Sequence, residues 1–119
     1  MKHIVISSSS TELVRIPIDR LVFIKSDGNY SDITTLDGRK RTVSLQLGQI
    51  EDLLDQKLEE GDMHFIRVGR GLIINTDYIH FIDTARQKLI LSDCAGSYHE
   101  LKASREALTM LKNYVESIM

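Results

Sequence analysis

A single cysteine, Cys94, occurs in the chain, so no intramolecular disulfide can form, and the thiol content fits a reducing cytosol. Tryptophan is absent and aromatic residues make up only 6% of the sequence, too few to build a platform for stacking single-stranded bases. No apolar run approaches the ~18 residues needed to span a bilayer. The N-terminal MKHIVISSSS holds three consecutive apolar residues, too short for a secretory core. Metal chemistry lacks a ligand set: His3, His64, His80 and His99 never pair at ligand spacing, and Cys94 has no CxxC partner. Gly69-x-Gly71 lacks the third glycine and the helix of a dinucleotide fingerprint, and no Walker sequence is present. These absences point away from an enzyme, a cofactor, a metal and a membrane, and toward a cytoplasmic protein.

The 119 residues, with 42% hydrophobic and 27% charged side chains, are enough for one domain whose core needs no staples. The net charge of −2 hides an uneven distribution. Residues 51–62 (EDLLDQKLEEGD) carry six acids and one lysine, a local −5, which leaves +3 on the rest of the chain. A chain with one acidic face can therefore still offer a cationic surface to phosphate.

Repeats and low-complexity tracts are absent apart from Ser7 to Ser10, which reads as a turn. Short apolar β-forming runs fill the front half: HIVIS, ELVRIPI, RLVFIK, YSDITTL and KRTVS. Asp37-Gly38 is a two-residue hairpin signal, Asp27-Gly28-Asn29 a second turn, and Pro17 belongs at a strand edge. The period then changes. In SLQLGQIEDLLDQKL, residues Leu47, Ile50, Leu53, Leu54 and Leu58 follow helical spacing, with Ser44 as the expected N-cap and the acids on a solvated face. Strand signals return at HFIRVG, LIIN, YIHFID, KLILS and SYHEL. A closing helix is expected over 104–118, capped by Ser104, with Glu106 in its first turn and an apolar stripe of Leu108, Leu111, Val115 and Ile118. Many short antiparallel strands with two helices make a mainly-β domain, α+β by content.

FIRVGRGLIIN, residues 65–75, sets two arginines against an apolar strand pattern. Strand alternation would put Arg70 on the face of Ile66 and Val68, and burying an unpaired guanidinium is costly. A hairpin turn through Gly69-Arg70-Gly71 removes the conflict and makes Arg70 a loop tip. From periodicity alone such a tip residue reads as solubilising. Arg39-Lys40-Arg41 reads likewise as a solvated strand end, and Tyr30 as a half-buried rim residue with its hydroxyl in water.

FIRVGRGLIINTDYIHFID resembles the signature of the LytTR family, bacterial DNA-binding domains of transcription regulators. That signature runs Phe-x-Arg-hydrophobic-His-Arg-Ser, a hydrophobic pair, Asn and a hydrophobic strand. Phe65, Arg67, Val68, Arg70, Ile73, Ile74, Asn75 and Ile79 stand in its places. IPIDRLVFIKSDGNYSDITTLDGR, SLQLGQIEDLL and KASREALTMLKNYV are similar to the family's upstream strands, Ser-Leu helix and final helix, from about Ile4 to Val115. Gly69 and Gly71 replace the family's His and Ser, removing a donor ring and a hydroxyl, and the arginine after the last strand falls near Arg105, beside Glu106.

The resemblance implies stacked antiparallel β-sheets, about ten short strands with two flanking helices, that bind double-stranded DNA through loops. It implies three contact loops: Asn29, Tyr30 and Ser31; the Arg70 tip, supported by Arg67; and Lys102 with Arg105 at a helix N-terminus, where anions are favoured. Arg105 at the first helical position opposes the helix dipole unless an anion lies nearby. The competing expectation is a protein-interaction module of the same fold that has lost DNA binding. The initial Met, and the dozen or so residues before the second strand, suggest a stand-alone regulator without a receiver domain, acting through self-association on repeated sites or a regulatory protein partner.

Overall fold

The run Leu21-Val22-Phe23-Ile24 is the centre around which the chain is layered, all four side chains lying between 0% and 8% exposed. The computed structural model describes residues 2–7, 9–62 and 64–118. Its elements are β1 (His3–Ile6), β2 (Val14–Pro17), β3 (Leu21–Asp27), β4 (Tyr30–Thr35), β5 (Lys40–Val43), α1 (Leu47–Lys57), β6 (Phe65–Arg67), β7 (Leu72–Asn75), β8 (Ile79–Asp83), β9 (Lys88–Ser92), β10 (Tyr98–Lys102) and α2 (Arg105–Ile118). Short 3-10 turns at Ile18–Arg20 and Thr76–Tyr78 lead into β3 and β8.

The strands form three antiparallel sheets, ordered β1-β2, β5-β4-β3-β7-β6 and β10-β9-β8. The five-stranded sheet is the middle layer and separates two cores. Ile24, Ile33 and Ile73 face β1, β2 and α1, while Val22, Phe23, Ile74 and Leu72 face the β8–β10 sheet and α2. Strict alternation would put Leu21 with Phe23, yet Leu21 joins the first core and Phe23 the second. A bulge between Leu21 and Phe23 shifts the register by one and lets a continuous apolar run serve both faces.

Several expectations from the sequence are refined. Gly28-Asn29 is a two-residue turn closed by the Asp27–Tyr30 pair, with Gly28 at φ +65°. The Asp37-Gly38 hairpin exists but its turn is wider, because pairing stops at Thr34–Lys40. The Asp37 carboxylate takes the Thr35 hydroxyl and the Arg39 N–H instead. Ser44 is not the cap of α1: the helix starts at Leu47, and the Gln46 N–H donates to Gln49 Oε1 at 2.8 Å. Ser104 does cap α2, its hydroxyl accepting from the Ala107 N–H at 3.1 Å. The α2 stripe ends early: Leu108 and Leu111 are buried and Val115 packs on them, but Ile118 is 60% exposed. The Ser7–Ser10 turn lies partly outside the described residues at Ser8, while the Ser9 hydroxyl accepts from the N–H groups of Thr11 and Glu12. No helix among the described residues is long and apolar enough to cross a membrane.

Candidate nucleic-acid interface

β6 and β7 pair from Phe65–Asn75 to Arg67–Ile73, and the Val68 N–H donates to the Leu72 carbonyl, so residues 69–71 form the exposed turn between them. Gly69 sits at φ +67°, a conformation that side chains rarely adopt, and this lets the chain reverse within three residues. Arg70 is exposed at the tip.

Arg67 fastens that tip. Its Nη1 donates to the Arg70 carbonyl at 2.9 Å and its Nε to Glu51 Oε1 on α1 at 2.7 Å. The acidic face of α1 is thus not wholly solvated, since Glu51 neutralises and orients the arginine behind the tip. Spacing could not show this, because the partners are 16 positions apart.

Two further loops reach the same end of the molecule. The Ser26 N–H donates to the Gly71 carbonyl at 2.9 Å, tying β3 to the tip just before the Gly28-Asn29 turn. On the other side, an open groove of about 640 Å³ is lined by Lys25, Gly69, Arg70, Gly71, Lys102 and Ser104, among others. Lys25, Arg70 and Lys102 have no ion-pair partner among the described residues. The one carboxylate in the groove, Glu100, is held by Lys88 at 3.0 Å. Lys25 escaped the sequence reading because RLVFIK looks like an ordinary strand end. Its register opposite Leu72 is what carries it to the tip.

The remaining candidates separate. Asn29 and Tyr30 are exposed on the adjoining turn, Tyr30 at 51%, so Tyr30 is more open than the half-buried rim residue its type suggests. Ser31 is a correction: it is fully buried and its hydroxyl donates to the Leu45 carbonyl at 2.6 Å, so it bolts β4 to the α1 approach and cannot reach a ligand. Arg105 is exposed on the first turn of α2 and does not line the groove. The signature Asn75 is fully buried: its amide donates to the Leu21 carbonyl at 2.9 Å and its Oδ1 accepts from the Asp77 N–H. It is an architectural residue joining β7 to the start of β3. Among the described residues no cluster of three or more His, Cys, Asp or Glu could hold a metal ion.

Residues 11–116 match the LytTr DNA-binding domain family. The chain belongs to this family. The match begins after β1, later than the resemblance near Ile4 suggests. A solved LytTr DNA-binding domain, of a protein described as a methyl-accepting/DNA response regulator from Bacillus cereus, is similar in structure: the TM-score is 0.61 at 18% identity, covering 94% of this chain and 96% of that one. At that identity the likeness speaks for the fold. Among curated proteins none matches the chain. The family is a DNA-binding one rather than a catalytic one, and the three cations round the Gly69–Gly71 turn of this LytTr domain form a surface suited to a polyanion.

Proposed function

We propose that this LytTr domain is a cytoplasmic transcription regulator that binds double-stranded DNA sequence-specifically, inserting the Arg70 turn into a groove. The observation that carries the reading is the convergence of Lys25, Arg70 and Lys102 on one groove, none of them ion-paired among the described residues, while the groove's Glu100 is held by Lys88. Arg70 is the base-reading candidate, because its planar fork matches guanine or a phosphate. Lys25 and Lys102 take phosphates and set register, while Asn29 and Tyr30 approach the backbone from the neighbouring turn. Arg67 acts behind the tip, and Arg105 contacts a flanking phosphate.

A module measuring 45 × 31 × 27 Å offers few specific contacts, so two copies on neighbouring repeats are expected to share a site. One protein per site at saturation would overturn that part. The glycines at 69 and 71 favour the second reading, a protein-interaction module without DNA binding, since they withhold a ring donor and a hydroxyl from the turn. Fluorescence anisotropy on pooled random duplexes at ~50 and ~200 mM salt separates the two, because phosphate contacts make affinity fall steeply with salt. Steep salt dependence supports DNA binding. No binding even at low salt leaves the protein-interaction reading.

A further inference from the structure

A second cationic cleft, of about 900 Å³, lies between β2 and the β4–β5 turn. It contains Arg15, Arg20, Arg39 and Arg41. It is at the far end of the middle sheet from the Arg70 turn: Leu21 pairs with Thr35 beside the cleft, and the Leu36 N–H donates to the Arg20 carbonyl. Asp27, at the other end of β3, adjoins the Gly28-Asn29 turn. Six strand steps, roughly 20 Å, separate those ends. The two surfaces share no lining residue.

Four guanidiniums in one cleft repel one another unless anions lie between them. The chain has 17 acidic against 15 basic side chains, so acceptors are not scarce. Yet Arg15, Arg20 and Arg41 have no carboxylate partner among the described residues, and Arg39 reaches Asp37 only at 3.7 Å. The Asp37 carboxylate is already committed to the turn, accepting from the Thr35 hydroxyl and the Arg39 N–H. Glu12 is the other acid lining the cleft.

The shape favours a polypeptide over a phosphate chain. Residues 11–17 form one wall without a gap, and β1 contributes nothing, so β2 faces the cleft with the edge that β1 leaves unpaired. Leu13, 61% exposed, and half-buried Leu36 add apolar surface that a sugar–phosphate backbone would not use. We propose that this arginine-lined cleft docks an acidic, extended segment of a protein partner, which adds a strand to β2 while its carboxylates pair with Arg15, Arg20 and Arg41. The site is separate from the DNA-facing groove and leaves that groove free.

The test uses the whole chain and a fluorescein-labelled peptide of alternating glutamate and valine, read by anisotropy at low salt. A lysine–valine peptide and an acidic peptide with alternate backbone nitrogens methylated serve as controls. The acidic peptide is expected to bind saturably, and neither control to bind. Arg41→Glu should weaken binding by at least about tenfold, as attraction turns to repulsion. Arg20→Ala, a milder change, should weaken it by about threefold. Arg70→Ala should leave it unchanged, and urea midpoints of all variants report whether they fold. Three results would overturn the proposal: no saturable binding to the wild type, equal affinity in folded Arg20→Ala and Arg41→Glu, or displacement of the peptide by duplex DNA. The last would assign the cleft to the nucleic-acid surface.

Discussion

Arg67 and Arg70 are three positions apart in the sequence yet differ in what neutralises them, and the difference can be measured. Arg70 has no ion-pair partner among the described residues, whereas Arg67 is already paired with Glu51 at 2.7 Å. Arg70→Ala is therefore expected to reduce the slope of log affinity against log salt by about one. Arg67→Ala should weaken DNA binding about fivefold, through loss of its bond to the Arg70 carbonyl, with little change in slope. Equal slope changes for both would show that Arg67 contacts phosphate itself. His99 supplies a pH dependence. Its ring packs edge-on against Phe23 at 5.3 Å, and burial pushes its pKa below the ordinary 6.5. The fold then prefers the neutral ring, so the unfolded chain binds more protons just below pH 6.5 and stability present above that pH falls as the pH drops through it. Asp37, Asp62 and Asp93, held below their ordinary 3.8 by hydrogen bonds, lose their contribution only at lower pH. A melting temperature that declines between about pH 7 and 5 is expected, and His99→Gln should flatten the decline; an unchanged decline would remove His99 as its source.

Turns and strands were legible in the sequence to the extent that their signals are local. The Gly69-Arg70-Gly71 reversal could be read because a guanidinium cannot stay on the buried face, and Ser104 because an N-cap acts within its own turn. The start of α1 was not, since Ser44 and Gln46 both precede the periodic residues and only tertiary packing of Leu47 decides between them. The bulge in β3 was invisible for the same reason: four apolar residues in a row fit one face or two. Ser31 and Asn75 show a further limit, because polar residues in a family signature can serve the scaffold through partners 14 and 54 positions away. The two tip glycines give an element-scale prediction. Gly69 is at φ +67° with open space round it, while Gly71 lacks a positive φ and an added Cβ would meet only Ser26 Cβ at 3.9 Å. Gly69→Ala should destabilise by about 1 kcal/mol through backbone strain, and Gly71→Ala should be close to neutral. Urea denaturation of both would reverse this assignment if Gly71→Ala proved the costlier change.

The whole molecule hangs on a sheet shared between two cores. Ile33 on β4 faces the core covered by α1, and Ile74 on β7 faces the core covered by α2; both are fully buried. Each lies next to β3, opposite Ile24 and Phe23 respectively. Neither core can lose its floor without exposing the apolar underside of the other, so both are expected to unfold in one transition. Ile33→Val and Ile74→Val should each cost about 0.5–1.5 kcal/mol, through the methyl lost from a packed interior. Because the two side chains lie in separate clusters, the double variant should fall within about 0.5 kcal/mol of the sum. Far-ultraviolet circular dichroism and tyrosine fluorescence, followed in urea, should give coincident curves for all three variants. Two separated transitions would mean that the cores fold independently. The groove at Arg70, whose lining residues Val68, Leu72, Leu101 and Ala103 belong to the core under α2, would then have to assemble afresh each time that core opened, and DNA affinity would track its stability.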